Sequence, residues 1–395
     1  MIPYGRQDIT AADVDAVLAV LRSPFLTQGP AVPHFESLVA ARVQARHAVA
    51  VNSATSALHI ACLALGVGPG DRLWTVPNTF VASANCARYC GADVDFVDID
   101  PRTWNISVPH LQEKLVRARR DGTLPKVVVP VHFAGAPTQQ EAIRELSREF
   151  GFRVLEDAAH AIGAAHRGEP VGSCRWSDVA VLSFHPVKII TTAEGGMALT
   201  NDDEIAERMR LFRSHGITRD VRALRHAADV SGTGEGDAPG WYYEQQVLGY
   251  NYRMTDLHAA LGSSQMARLD DYVARRNALA CRYDAMLQGL PLQLPYVGEG
   301  DTSAFHLYVV RLEVEASGRT RRQVYDDLRA AGVGVNVHYM PVHLNPYYRE
   351  LGFSAGMLPN AEAYAAAAIT LPLYPTLAEN QQDEVVAALR RALGR

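Results

Sequence analysis

Short apolar runs alternate with amphipathic stretches along the first half of the chain. Helical patterns lie around residues 54–66, 79–90, 107–120 and 138–150, between runs that are typical of buried strands. These runs are AVAV (48–51), LWTV (73–76), VDFVDI (94–99), KVVVPVHF (126–133), FRVLED (152–157) and VAVLSF (179–184). The alternation predicts an α/β domain with a mainly parallel central sheet.

The pattern differs at both ends of the chain. Residues 9–22 predict a helix that Thr10 caps, and the loop SPFLTQGP follows it. After a long helical pattern at about 255–288, the chain reads as strand (305–312), helix (321–332), strand (335–339) and a last helix (377–393). We therefore predict a large domain over 1–259 and a smaller C-terminal α/β domain over 260–395. Residues 231–240, rich in Gly, Ser and Asp, predict a mobile surface loop.

Composition narrows the class of protein. The 395 residues are 48% hydrophobic, and a net charge of −5 argues against nucleic-acid or anionic-membrane partners that depend on bulk charge. The five cysteines form no CxxC pair, which argues against a zinc site and a disulfide framework. Because the sequence also has no signal-peptide pattern and no apolar run of membrane-spanning length, we expect a cytoplasmic protein without a metal.

Polar residues follow several of the predicted strands. NSATSAL (52–58) joins a strand to a helix, and a helix N-terminus can bind an anion, although simple capping by Ser53 or Thr55 explains these residues as well. Asp157 directly follows the strand in LEDAAH (155–160), where it could belong to a site or cap the next helix. His160, taken alone, is more typical of a structural histidine.

Lys188 is the most informative single residue. It lies in SFHPVKIITTAEGG (183–196) between Val187 and Ile189, where a charged amine is costly unless it has a partner or loses its proton. A lysine stem that lies along the core while its amine reaches water would also fit. Together with a phosphate cradle and the carboxylate of Asp157, however, Lys188 indicates pyridoxal 5′-phosphate (PLP) bound as a Schiff base. Phe80, in PNTFVASAN (77–85), could stack on the cofactor ring.

The order of motifs resembles a known family. NSATSAL, PNTFVASAN, EDAAHAIGA, SFHPVKIITTAEGGMALTND, LGYNYRMTDLHAALG and VHYMPVHL follow one another as in the DegT/DnrJ/EryC1/StrS sugar aminotransferases, over nearly the whole chain. The resemblance implies the fold-type I PLP-dependent aminotransferase fold. It also implies a homodimer whose active sites are shared between the subunits.

Three segments resemble one branch of that family: SFHPVKIITTAEGG, FRSHGITRD and LTQGP. This branch transfers an amino group from L-glutamate to C4 of a UDP-2-acetamido-2,6-dideoxy-4-keto-hexose in pseudaminic acid biosynthesis. C4 or C3 amination of another UDP- or dTDP-keto sugar is the alternative activity. A cofactor-binding protein without turnover is a further alternative, which the presence of both Lys188 and Asp157 disfavours.

The resemblance assigns roles residue by residue. It makes Lys188 and Asp157 the catalytic pair, with Asp157 beside the pyridine nitrogen. Phe80 would cover the ring, His160 would lie near its 3′ oxygen, and the phosphate would be bound by Ala54, Thr55, Ser183 and, from the neighbouring subunit, Asn251. The residues expected to bind the sugar nucleotide are Tyr4, Pro24, Phe25, Leu26, Thr27, His185, Asn336, Val337, His338 and Tyr339.

Two positions qualify the resemblance. Related dehydratases carry histidine in place of the lysine, so Lys188 argues against dehydratase chemistry. Much of the wider family has glycine where this chain has Ala193. Alanine is strained at positive φ, and we therefore predict that the backbone at Ala193 avoids that region.

Overall fold

The computed structural model describes residues 1–226 and 239–395, so the predicted mobile loop at 231–240 lies mostly outside the described residues. The described strands are β1 (His47–Val51), β2 (Arg72–Thr75), β3 (Asp93–Phe96), β4 (Val127–Val129), β5 (Arg153–Asp157), β6 (Ala165–His166), β7 (Glu169–Pro170), β8 (Val179–Ser183), β9 (Gly196–Thr200), β10 (Ile217–Thr218), β11 (Glu244–Gln245), β12 (Leu292–Gln293), β13 (Tyr308–Leu312) and β14 (Ala368–Leu371).

The helices surround these strands. They are α1 (Ala11–Leu21), α2 (Ala31–Val43), α3 (Ala54–Ala64), α4 (Ala82–Tyr89), α5 (Val108–Asp121), α6 (Gln140–Phe150), α7 (Asp203–Arg213), α8 (Asp256–Met266), α9 (Leu269–Leu287), α10 (Val314–Ser317), α11 (Arg321–Ala330), α12 (Pro346–Glu350), α13 (Pro359–Ala367) and α14 (Glu379–Ala392). None of the helices in the described ranges combines the length and hydrophobicity that crossing a membrane requires.

A seven-stranded sheet lies at the centre, in the order β1-β9-β8-β5-β4-β2-β3. Neighbouring strands from β8 to β3 pair in parallel, whereas β9 runs antiparallel to both β1 and β8. Helix α6 illustrates how the sequence covers this sheet: Ile143, Leu146 and Phe150 form a buried stripe at helical spacing, and Gly151 ends the helix at φ 81°. The predicted mainly parallel α/β architecture is confirmed.

Several predicted elements differ from the structure, three of them in ways that affect the site or the cores. The strand expected at 126–133 is regular only over Val127–Val129, because Pro130 has no N–H to donate to the ladder. The helical pattern at 255–288 is two helices, α8 and α9. Residues 335–339 form no regular strand; only Asn336 makes a bridge, to Thr370 in β14, and the side chain of Asn336 accepts a hydrogen bond from the next backbone N–H.

A second, antiparallel sheet of β12, β13 and β14 has its own apolar core. Leu279 and Tyr283, in the C-terminal half of α9, pack in this core, whereas Leu269 and Val273, in its N-terminal half, pack in a core of the large sheet. The long helix thus contributes to both cores. The domain boundary near residue 259 remains a prediction.

Candidate active site

A cavity of about 400 Å³ lies at the carboxyl ends of the parallel strands, where ligands bind in open α/β sheets. It brings together eleven of the residues that the sequence singles out. They are Tyr4, Ala54, Thr55, Phe80, Asp157, His160, Ser183, His185, Lys188, His338 and Tyr339. Residues from the N-terminus, from four strand ends and from the C-terminal part therefore meet in one site.

One wall of the cavity is the N-terminus of α3. Ser53 caps this helix, since its hydroxyl accepts a hydrogen bond of 3.1 Å from the backbone N–H of Ser56. The start of β9 lies directly against it: a Cβ at Gly196 would lie 2.4 Å from the backbone nitrogen of Ala54. Ser183 pairs with Gly196 across β8 and β9. The cap does not exclude anion binding here, because a cap satisfies only some of the N–H groups at a helix N-terminus.

Lys188 and Asp157 share this cavity. Burial lowers the pKa of the Lys188 amine to about 8, and the negative charge of Asp157 acts in the opposite direction. Asp157 is itself buried, and its carboxylate accepts hydrogen bonds from the Ser83 hydroxyl at 2.5 Å and from the Ala159 N–H at 3.1 Å. Ser83 bonds in turn to the Thr79 hydroxyl at 2.8 Å. The N-terminus of α4 therefore fixes the carboxylate in place.

Three buried histidines surround the lysine. Burial, followed by the positive charge of Lys188, lowers the pKa of His338 to about 3 and holds the pKa values of His160 and His306 well below the usual range. His306 was not predicted from the sequence. A histidine within the apolar run FHLYVV was the available signal, and by itself it does not distinguish a site residue from a structural one.

Phe80 and Tyr339 form another side of the cavity. Their ring centroids lie 6.5 Å apart, and 59% of Phe80 is exposed. The Tyr339 hydroxyl lies 3.2 Å from Nε2 of His160, and burial together with the charge of Asp157 raises its pKa. Tyr339 is therefore a neutral phenol at physiological pH.

Other predicted residues lie outside this cavity in the single chain: Pro24, Phe25, Leu26, Thr27, Asn251, Asn336 and Val337. The first five of these are exposed. Asn251 was expected to act in a neighbouring subunit, and its role stays a prediction. The sequence analysis assigned no site role to the cavity residues Thr79, Glu194 and His306, and it considered Ser53 only as a helix cap.

The prediction for Ala193 is wrong, because its φ is 67°. Two threonine side chains hold the turn: the Thr191 hydroxyl accepts from the Ala193 N–H at 2.9 Å, and the Thr192 hydroxyl donates to the Glu194 carbonyl at 2.8 Å. In the turn that these bonds close, Ala193 has a left-handed conformation, which alanine adopts only with strain.

The residues of the cavity fit PLP. A lysine with a lowered pKa supplies the amine, a buried carboxylate supplies the anion for a protonated ring nitrogen, and the N-terminus of α3 at Ala54 supplies backbone N–H groups for a phosphate. Together with a mainly parallel sheet and a second α/β core, these features define a PLP-dependent enzyme of the aminotransferase class.

The chain belongs to the DegT/DnrJ/EryC1/StrS aminotransferase family, which it matches over residues 7–390. It is 39% identical to the spore coat polysaccharide biosynthesis protein SpsC of Bacillus subtilis over 392 residues, which cover 98% of this chain and 96% of SpsC. The protein is thus a PLP-dependent sugar aminotransferase with the fold-type I architecture.

Solved structures agree over the full length. Helicobacter pylori PseC, an aminotransferase of pseudaminic acid biosynthesis, superposes with a TM-score of 0.88 at 29% identity, covering 100% of this chain and 99% of that one. The pyridoxamine-phosphate form of the putative sugar aminotransferase Spr1654 from Streptococcus pneumoniae gives a TM-score of 0.87 at 28% identity with the same coverage.

Proposed function

We propose that the protein transfers the amino group of L-glutamate to C4 of a UDP-2-acetamido-2,6-dideoxy-4-keto-hexose. The product would be UDP-4-amino-4,6-dideoxy-N-acetyl-β-L-altrosamine, on the route to pseudaminic acid. The observation that carries the proposal is the full-length likeness to PseC, in a chain whose cavity joins Lys188 and Asp157. The segments SFHPVKIITTAEGG, FRSHGITRD and LTQGP support the same branch.

In this proposal Lys188 both anchors the cofactor and moves the proton. PLP, when bound, supplies an electron sink for the carbanion that forms when the donor Cα loses its proton. With a pKa of about 8, the Lys188 amine can take that proton near neutral pH and return a proton to C4 of the sugar in the second half-reaction. The three neighbouring histidines stay neutral, so none of them places a second positive charge beside the amine.

Asp157 would keep a proton on the cofactor's ring nitrogen. The bonds from Ser83 and Ala159 orient its carboxylate without neutralising it. We assign Phe80 to the ring face and His160 to the side of the 3′ oxygen. The N-terminus of α3 at Ala54 and Thr55, with Ser183, would bind the phosphate.

The complete site would require a homodimer. Phe25 and Leu26 are exposed apolar residues, at 50% and 48% exposure, and a second subunit would cover them. We propose that Asn251 reaches the partner's phosphate and that 24–27 and 336–339, with Tyr4 and His185, line the sugar-nucleotide pocket. The cysteines of the protein, which form no CxxC pair, favour a reducing compartment such as the cytoplasm.

The test is product identification. The holoenzyme is incubated with L-glutamate and a panel of keto-sugar nucleotides, and the products are identified by mass spectrometry and NMR. The proposal predicts that the UDP-2-acetamido-2,6-dideoxy-4-keto-hexose is aminated at C4 with the highest kcat/KM. Lys188→Ala is the control and should give no product; preferential amination of a different sugar would overturn the assignment.

The likeness to SpsC favours a second candidate, amination at C4 or C3 of another UDP- or dTDP-keto sugar used for a surface polysaccharide. SpsC has the higher sequence identity, 39% against 29% for PseC. The same panel separates the two, because only this candidate predicts a preference for a sugar without the 2-acetamido group or for a dTDP-linked 3-keto sugar.

A further inference from the structure

His306 is a cavity residue to which neither the family motifs nor the proposed mechanism gives a role. Its imidazole lines the cavity, and the residue as a whole is only 4% exposed. Among the described residues, the side chain makes no hydrogen bond, and Nδ1 is enclosed without a partner. Buried polar atoms normally have partners, so an imidazole in this position calls for an explanation.

A buried arginine is hydrogen-bonded to the backbone that carries His306. Arg276 is almost completely buried, and its Nη1 donates hydrogen bonds to the carbonyls of Phe305 at 3.1 Å, His306 at 3.2 Å and Leu373 at 3.0 Å. Phe305 has a φ of 42°, a region that L-residues rarely adopt. Strain of this kind persists where surrounding contacts over-determine a conformation, and it is concentrated at functional sites.

The neighbouring His160 already has its partners. The backbone N–H of Ala134 donates to Nδ1 of His160 at 3.3 Å, so the neutral ring carries its proton on Nε2, which lies 3.2 Å from the Tyr339 hydroxyl. The rings of His160 and His306 lie 4.4 Å apart between centroids. Of these two histidines, only His306 has a side chain without a hydrogen-bond partner among the described residues.

The tautomer of His306 follows from the same geometry. The ring is neutral because burial and the positive charge of Lys188 oppose protonation. Because Nδ1 is enclosed, a proton there would bury an unpaired N–H, and such groups are rare in native structures. The proton therefore belongs on Nε2, which is the nitrogen that a ligand in the cavity can reach.

We propose that His306 donates a hydrogen bond from Nε2 to an oxygen acceptor of the bound ligands, and so acts as a further binding residue of the site. The acceptor is either the phenolic oxygen of the cofactor or an oxygen of the amino donor or keto sugar. The inference rests on one part of the proposed function, namely that the cofactor and the substrates bind in this cavity. It does not depend on which sugar is used.

The experiment compares His306→Leu, which removes the donor, with His306→Gln, whose amide can donate from a similar position. His343→Leu is the control for loss of stability alone, since His343 is also buried with an unpartnered Nδ1 but lies outside the cavity, where its Nε2 contacts Oε1 of Glu362 at 3.0 Å. Five quantities are measured on each holoenzyme: the absorption spectrum, the rate of cofactor release on dilution, KM and kcat for each substrate, and the melting temperature.

His306→Leu is expected to change one ligand-specific quantity by about tenfold, the effect of one lost hydrogen bond to a polar acceptor, and His306→Gln should recover most of it. A shifted absorption band with faster cofactor release identifies the cofactor oxygen. An unchanged spectrum with a raised KM identifies a substrate oxygen.

The proposal is overturned if His306→Leu lowers only the melting temperature, as His343→Leu should, or if His306→Gln is as impaired as His306→Leu. The spectrum and the glutamate half-reaction need no sugar. A wrong sugar assignment would therefore leave these readouts interpretable, and the sugar KM would be measured with whichever panel member is accepted.

Discussion

Burial lowers the pKa of the Lys188 amine to about 8, and the charge of Asp157 limits this shift. A neutral amine is the nucleophile that attacks an aldehyde, so the fraction of reactive Lys188 rises through pH 8 rather than through the ordinary lysine range near 10.5. We predict that the rate at which the cofactor-free protein captures PLP rises with pH and has its midpoint near 8. Stopped-flow absorbance measures this rate.

The variant Asp157→Asn provides a second test of the pKa of Lys188. Removing the carboxylate takes away the interaction that raises the pKa of Lys188, so the midpoint should move below that of the wild type. A midpoint near 10 in the wild type, or an upward shift in Asp157→Asn, would contradict this electrostatic explanation.

Ala193 carries a local strain that a glycine would relieve. At φ 67° an L-residue is disfavoured by roughly 1–2 kcal/mol, and glycine would remove this strain. Part of the stability gained is lost again, because glycine makes the unfolded chain more flexible. We predict that Ala193→Gly stabilises the protein by about 0.5–1 kcal/mol, seen as a higher melting temperature by calorimetry. Ala61→Gly, in the middle of α3, is the control and should destabilise by a similar amount; equal loss of stability in both variants would refute the strain.

The sequence was informative about these residues to different degrees. Lys188 and Asp157 could be identified because an amine between apolar residues is costly to bury without a partner, and because an amine and a carboxylate are both needed to hold PLP. The φ of Ala193 was predicted wrongly because the preference of alanine was given more weight than the glycine that much of the family has there. The hydrogen bonds that Thr191 and Thr192 make in this turn could not be read from the sequence.

At the scale of elements, the contact between β9 and α3 shapes the proposed phosphate site. A Cβ at Gly196 would approach the Ala54 nitrogen to 2.4 Å and would push the strand from the helix N-terminus. We predict that Gly196→Ala weakens PLP binding by at least about tenfold, measured as the dissociation constant by fluorescence titration. Gly68→Ala is the control, since nothing lies within 4 Å of a Cβ there. Equal affinities for the two variants would show that this close approach has no role.

Elements were predictable where one strong pattern acts alone. The stripe of α6 and the apolar runs of the parallel strands are set by local periodicity and burial. Residues 335–339 alternate apolar and polar side chains as a half-buried strand would. However, β14 pairs with β13, and residues 338–339 line the cavity instead. Which segment pairs with β13 depends on competition between two segments that are distant in sequence, and a local sequence pattern cannot predict the result.

At the scale of the whole molecule, the site is assembled from segments far apart in sequence. His306 reaches the cavity because Arg276, on the long helix, fixes the start of the run that forms β13. Sequence reasoning could place the residues that follow the strands of one sheet, since their carboxyl ends share an edge. It could not place a residue whose position is set by contacts between the two cores.

The N-terminal helix is tied to the rest of the molecule by Asp13, which is 1% exposed. Burial alone would raise the pKa of this carboxyl, but hydrogen bonds from Arg268, Ser264 and Thr10 outweigh burial and lower the pKa to about 2. Arg268 donates to both carboxylate oxygens, at 2.8 and 2.6 Å, from the turn between α8 and α9. The ionised carboxylate therefore joins the first helix to the helices that support both cores.

Because the folded-state pKa of Asp13 lies below its value of 3.8 in the unfolded chain, the ion pair stabilises the protein fully above about pH 4. This contribution, at most about 2.5 kcal/mol, is lost as the pH falls from about 4 towards 2. Asp13→Asn should therefore lower the melting temperature at pH 7, and the difference from the wild type should shrink as the pH falls through that window. Asp15→Asn, on the exposed face of the same helix, should change little at any pH. A constant deficit for Asp13→Asn from pH 7 to pH 3 would mean that lost packing, rather than lost charge, explains its effect.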